Sequence, residues 1–192
     1  MAVVSRMSMT KVNQGVMHEM INYSPGLKWL WMTILIIFLD QWSKGLASQY
    51  LQMHDPVIVT PGFNLTLMHN EGAAFSFLHE AGGWQRWFFV CLTIAVSVFI
   101  LIWLHGTRVN QRWLSCALAL VLGGAMGNLW DRLTLGYVID FLDITLGFLP
   151  WRIFNPWPAF NIADSAITVG AIMLVIDAFC FSEVAPENSS NN

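Results

Sequence analysis

The sequence predicts an all-α membrane protein, a four-transmembrane-helix bundle with a small β-structure on its outer surface and an interfacial segment beside it. Three observations carry this reading. Of the 192 residues, 56% are apolar and 11% are charged, whereas a soluble domain carries about 25% charged residues. Long apolar segments recur along the chain, each close to the ~20 residues a helix needs to cross ~30 Å of hydrocarbon. Most of the ten tryptophans (Trp29, Trp31, Trp42, Trp84, Trp87, Trp103, Trp113 and Trp130 among them) stand at the ends of those segments. That is the aromatic belt of a membrane–water interface.

Residues 1–26 read as a polar tail closing in Ser24-Pro25-Gly26, and 184–192 as a second polar tail. Between them, 27–183 form one membrane domain. Its spans are expected at about 27–46, 87–104, 113–130 and 162–181. Helix is the expected state of each, because lipid offers no partner to a free backbone N–H or C=O. Lys28 ahead of an apolar run resembles the start of a cleaved secretory signal. Asp40, Lys44 and the length of the run mark a retained span instead. The chain holds too little polar sequence for a second, soluble domain.

Orientation follows from the basic residues. Arg6, Lys11 and Lys28 precede the first span, and Arg108 and Arg112 occupy the short loop after the second. Basic residues favour the cytoplasmic side, so both termini are expected there. Two loops then face outward. In the first, about 47–86, Phe63, Leu65 and Leu67 alternate with Asn64 and Thr66, a strand period. Pro61-Gly62 is a turn signal before it. The second, about 131–161, is rich in Trp, Phe and Pro and should lie in the interface. Gly123 and Gly127, four apart on the third span, suit close helix packing. With Gly124 they also leave room for an extended ligand backbone.

Net charge is −3, so nucleic acid is not an expected partner. Cys91, Cys116 and Cys180 lie in apolar runs and form no Cys-x-x-Cys pair. They read as small buried apolar residues.

The polar residues of the spans collect at one side of the membrane. Asp40 and Lys44 are i, i+4 and suit an ion pair. Asn70 lies beside Glu71 in the first outward loop. Asn128 and Asp131 share a helix face, and Arg132 can clamp a carboxylate, with Asp131 as its expected partner. Asn161 and Asp164 begin the fourth span, with Asp140 in the loop before it. Ionisable groups at a bilayer edge are costly unless used or paired, so this convergence marks a functional site. Each residue also has a plainer role open to it. Asp140 and Asp143 in "VIDFLD" share a face on a helical turn and point apart on a strand. Asp140, flanked by Val138, Ile139, Phe141 and Leu142, should titrate high, and is as readily an ion-pair partner as a catalyst. Asn161 is a plausible N-cap, and a carboxylate at Asp164 suits the first helical turn.

Two nonequivalent carboxylates can divide general acid and general base work, and close together they share a proton. Other hydrolytic patterns fail. His79-Glu80 is followed by Gly83 where a zinc protease needs His, Ser43 and Lys44 diverge on their helix, and no G-x-S-x-G occurs. A magnesium-dependent lipid phosphotransferase using Asp131, Asp140 and Asp143 and a proton-coupled transporter are the rival classes.

Five blocks in order, "DQWSK" at 40–44, "NEGAAFSF" at 70–77, "GGAMGNLWDR" at 123–132, "VIDF" at 138–141 and "FNIADSAI" at 160–167, closely resemble those of the bacterial lipoprotein signal peptidases, the type II signal peptidases. The resemblance covers about 27–181. It implies a membrane-embedded aspartic endopeptidase that cuts before a diacylglyceryl-bearing cysteine. It implies Asp140 and Asp164 as catalytic dyad, with Asp40, Lys44, Asn70, Asn128, Asp131, Arg132 and Asn161 in support. It further implies no metal or organic cofactor, inhibition by the cyclic peptide globomycin, and outward loops forming an extracytoplasmic β-cradle and a lid. The setting is the bacterial inner membrane, with lipid and a diacylglyceryl-prolipoprotein as partners of a monomer. The N-terminal tail and the stretch "TLGFLPWRIFNPWPAF" at 145–160 are long for the family.

Overall fold

The computed structural model describes residues 24–72, 83–144 and 158–180. The tail over 1–23, the C-terminal tail, residues 73–77 of the second block and most of the expected lid lie outside them.

The described residues form four long helices: α1 Leu30–Tyr50, α2 Trp84–His105, α3 Arg112–Thr134 and α4 Ile162–Cys180. The last three are long and apolar enough to cross a membrane. The first carries Asp40, Gln41 and Lys44 in its second half and is not among the helices that reach that apolarity. The helices outrun the apolar segments that predict them. α1 reaches Tyr50 through exposed Ser48, Gln49 and Tyr50, and α3 reaches Thr134 because Asp131 and Arg132 find partners on neighbouring elements.

Helix α3 is central and packs on the other three. Leu114, Ala117, Leu118, Ala119, Leu122, Ala125 and Leu129 are all buried on it. Lipid tails are as apolar as leucine, so small residues and hydrogen bonds hold such helices together. Thr33 on α1 donates to the Ala119 carbonyl of α3 at 3.0 Å. A side chain at Gly123 would meet Ile36 of α1, and one at Gly124 would meet the Ala163 carbonyl and Ile167 of α4. The glycines of α3 therefore serve packing. Outward faces of α1, α2 and α4 carry exposed Phe38, Trp42, Phe88, Phe99, Ile172 and Phe179, a surface suited to lipid.

Two expectations are corrected here. Cys91 and Cys180 are exposed on those outward faces and Cys116 is half-buried; all three are free. A small apolar side chain tolerates a lipid-facing site as well as a core. The tail also ends before Gly26. Residues Pro25–Trp29 form a 3-10 turn, the Ser24 hydroxyl donates to the His105 carbonyl, and buried Gly26 lies against Leu104 and Thr107 with no room for a Cβ.

The β-structure is a three-stranded antiparallel sheet in the order β1 Val57–Thr60, β2 Phe63–Asn70 and β3 Val138–Ile144. Pro61-Gly62 makes the β1–β2 turn, with Gly62 at φ 88°, the positive value that the second central residue of a type II turn requires. β3 lies in the loop expected to be interfacial, so part of that loop completes the sheet. Phe160 bridges the free edge of β3: its carbonyl accepts from Phe141 N and Leu142 N at 3.0 and 2.8 Å, and its N–H returns to Leu142 O at 2.9 Å. This bridge sets the start of α4 against the middle of β3.

Candidate active site

Five elements bring the polar residues together. α1 supplies Asp40, Gln41 and Lys44; α3 supplies Asn128, Asp131 and Arg132; β2 and β3 supply Asn70 and Asp140; the start of α4 supplies Asn161 and Asp164. Asp40, Lys44, Asp131 and Asn161 are each at most 1% exposed, so their mutual bonds replace water.

Asp140 and Asp164 line one cavity of about 550 Å³, together with Asn70, Asn128 and Arg132 and the apolar Val138, Phe160 and Ile167. Asp140 accepts from Asn161 Nδ2 at 2.8 Å on Oδ1 and from Asn70 Nδ2 at 3.1 Å on Oδ2. Asp164 accepts from Asn128 Nδ2 at 2.7 Å on Oδ1 and from the Asn161 backbone N–H at 3.3 Å on Oδ2. Asn161 thus touches both carboxyls. Burial, and then the nearby charge of Asp164, push the Asp140 carboxyl up to about 7, against the bonds from Asn70 and Asn161 that favour its charged form. A carboxyl poised there can hold or release a proton at neutral pH.

Behind the pair lies a buried charge cluster. Lys44 Nζ reaches Asp40 Oδ2 at 2.7 Å and Asp131 Oδ2 at 2.8 Å. It also donates to Asn128 Oδ1 at 3.0 Å. Asp40 Oδ1 accepts from Ala163 N at 2.9 Å, so α1 grips the first turn of α4. Asp131 Oδ2 accepts from Ile139 N at 3.2 Å, fixing β3 one residue before Asp140.

The sequence-predicted pairing of Asp131 with Arg132 does not form. Neighbours on a helix point about 100° apart, so Asp131 turns inward to Lys44. Arg132 instead donates to the Gly72 carbonyl at 3.2 Å and the Asn128 carbonyl at 3.4 Å, with its guanidinium over Phe89. Asp143 faces away from Asp140, as strand alternation requires, and accepts from Thr66 Oγ1 at 2.8 Å. The magnesium set of Asp131, Asp140 and Asp143 is therefore not assembled, and among the described residues no group of three His, Cys, Asp or Glu converges.

Sequence reasoning missed Gln41. Its Nε2 donates to Asp131 Oδ1 at 2.8 Å and to the Gly127 carbonyl at 3.2 Å. Its place inside "DQWSK", between two recognised residues, was the available signal.

Comparison with known proteins shows the family. A family model described as signal peptidase (SPase) II matches residues 32–180, a stretch that includes every residue of the site. A lipoprotein signal peptidase of Acinetobacter baumannii is 50% identical over 167 residues, covering 87% of this chain and 92% of its own length. One from Pseudomonas paraeruginosa is 51% identical over 156 residues, covering 80% and 88%. A bacterial membrane enzyme solved by the in meso method superposes with a TM-score of 0.69 at 26% identity, covering 83% of this chain and 94% of that one. With a family match over most of its length and relatives at half identity, the chain belongs to the signal peptidase II family.

Proposed function

We propose that Asp140 and Asp164 are the catalytic carboxyls of this signal peptidase. The chain removes signal peptides from prolipoproteins, as its family does. The observation that carries the residue assignment is the shared cavity: both carboxyls line it, one amide residue contacts both, and Asp140 titrates near 7.

The chemistry is general acid–base hydrolysis of the peptide bond before the diacylglyceryl-bearing cysteine. One carboxylate takes a proton from water as its oxygen bonds to the scissile carbonyl carbon. The partner carboxyl gives its proton to the carbonyl oxygen. The carbon–nitrogen bond then breaks as the first carboxyl returns a proton to the leaving nitrogen, and the partner regains one from the diol. Every proton moved is held by one of the two aspartates. Arg132 and Asn70, which line the cavity, are suited to orient substrate carbonyls.

The setting is four spans in the bacterial inner membrane. Counting α1 as the fourth is supported by its polar residues, which face α3 and α4 while Trp31, Ile34 and Phe38 face outward. Both termini lie in the cytoplasm and the cavity toward the opposite face. The outward segment before α4 acts as a lid, acyl chains of the substrate lie in lipid, the enzyme works as a monomer, and globomycin blocks it. The test is incubation of purified enzyme with a diacylated prolipoprotein, with and without globomycin. A mobility shift on gels that globomycin suppresses is expected. An unshifted precursor with folded enzyme would contradict the reading.

A further inference from the structure

Two aspartates that share a task need not share it equally, and the donors around this pair differ in what anchors them. Lys44 has three N–H groups and no acceptor. All three are committed, to Asp40, Asp131 and Asn128, in a site where Lys44 is 1% exposed. The ammonium therefore faces the oxygen of the Asn128 amide, and that oxygen also receives Asn161 Nδ2 at 3.2 Å. With its oxygen so occupied, Asn128 has only its Nδ2 to turn outward, and it points at Asp164 Oδ1 at 2.7 Å. The other Asp164 oxygen faces a backbone N–H. Both oxygens thus meet donors, and one donor chain ends in a buried cation.

Asp140 differs. Its two donors are Asn161 and Asn70, and Asn70 is oriented by the neutral Gly72 N–H, at 3.1 Å. It is 3% exposed on a strand between Ile139 and Phe141, where desolvation favours the neutral form.

We propose that Lys44, acting through Asn128, is the positioning residue that holds Asp164 ionised as the group that activates water, leaving Asp140 as the carboxyl that carries the proton. This rests on the dyad reading above and assigns its two roles. In the cycle, Asp164 takes the proton of the attacking water and later delivers it to the leaving nitrogen. Asp140 protonates the carbonyl oxygen and recovers a proton from the diol. The same ammonium reaches the Asp140 side through Asp131 and the Ile139 N–H, so one buried charge sets both carboxyls in place. The charged groups around the pair are Lys44 and Asp40 on α1 and Asp131 and Arg132 on α3. From β2 comes the neutral Asn70.

The test pairs a kinetic with a spectroscopic measurement on the full chain in detergent or liposomes. Lys44→Gln combined with Asp40→Asn removes the ammonium while leaving the net charge of the cluster unchanged. The expected result is folded enzyme with KM for a diacylated prolipoprotein within about twofold of the parent. Its kcat falls about 100-fold, and both limbs of its pH profile move to higher pH. A purely structural Lys44 would lower the yield of folded protein without moving those limbs. Parental kcat and limbs in the folded double variant overturn the proposal. If that variant does not fold, infrared spectra of Asp140→Asn and Asp164→Asn decide. A protonated-carboxyl stretch just below neutrality should vanish in Asp140→Asn and persist in Asp164→Asn. A signal that vanishes in Asp164→Asn, or in neither, overturns the assignment. Failure of the dyad itself looks different, because at least one of the single variants would then cleave substrate at the parental rate.

Discussion

Asn161 and Asp164 cap each other. Asn161 Oδ1 accepts the Asp164 N–H at 2.9 Å, and Asp164 Oδ2 accepts the Asn161 N–H at 3.3 Å. This reciprocal cap ends the chain's approach to α4 and aims the second Asp164 oxygen at Asn128. Capping and site building are thus one arrangement, because a carboxylate has two oxygens to divide between them.

Replacing Asn161 should expose both roles. Asn161→Ala removes the cap, worth about 1 kcal/mol, and leaves Asp140 without its shortest donor. Asn161→Ser restores a capping oxygen but cannot reach Asp140. Thermal melting should show partial recovery of stability in the serine variant, while turnover stays as low as in the alanine variant. Recovery of both together would mean that the contact to Asp140 is dispensable.

The pH dependence of stability has a defined sign. Asp140 titrates near 7 in the fold, against an ordinary value of 3.8 for the free side chain, so folding favours its neutral form. Below about 3.8 folded and unfolded chains are both protonated and nothing is lost. Between the two values the fold loses stability as pH rises, and above 7 the full penalty applies, at most about 4 kcal/mol. Asp140→Asn should therefore melt higher than the parent at alkaline pH, with the gain shrinking toward pH 4. A variant that is less stable at every pH would contradict this.

Asp143→Asn should keep most of its activity. Asp143 sits on the opposite face of β3 and accepts from Thr66, so the change turns a charge-assisted hydrogen bond into a neutral one, a loss of about 1 kcal/mol, and touches nothing in the cavity. Loss of turnover in well-folded Asp143→Asn protein would show that this face of the sheet matters to catalysis.

Two glycines give a packing test. A Cβ at Gly45 meets nothing within 4 Å, whereas at Gly124 it meets the Ala163 carbonyl and Ile167. Gly45→Ala should be neutral or stabilise by up to about 1 kcal/mol through helix propensity. Gly124→Val should push α4 from α3, carrying Asp164 away from Asn128, and lower both melting temperature and turnover. Equal tolerance at the two positions would argue against the close α3–α4 approach.

Local signals made much of this legible. The long apolar runs located the helices, Pro61-Gly62 located the hairpin turn, and the i, i+4 spacing of Asp40 and Lys44 foretold their ion pair. What escaped was long-range. Nothing near Asp131 in the chain indicates that its partner is Lys44, and the adjacent Arg132 looked like the natural choice. The end of α3 was hidden because Asp131 lowers hydropathy while being buried against Lys44. Whether "VIDFLD" forms a turn or a strand was open until Met68 and Asn64 on β2 paired with Asp140 and Asp143, a contact that sequence periodicity does not encode. The blocks of the family resemblance marked residues that the fold brings together, but not the amide chain that links them.

The most direct test of the central claim is turnover of a diacylated prolipoprotein by purified Asp140→Asn and Asp164→Asn enzymes, each first shown to be folded. Loss of at least about 100-fold in kcat for both, with substrate still bound, is the predicted result. Cleavage at the parental rate by either variant would contradict it.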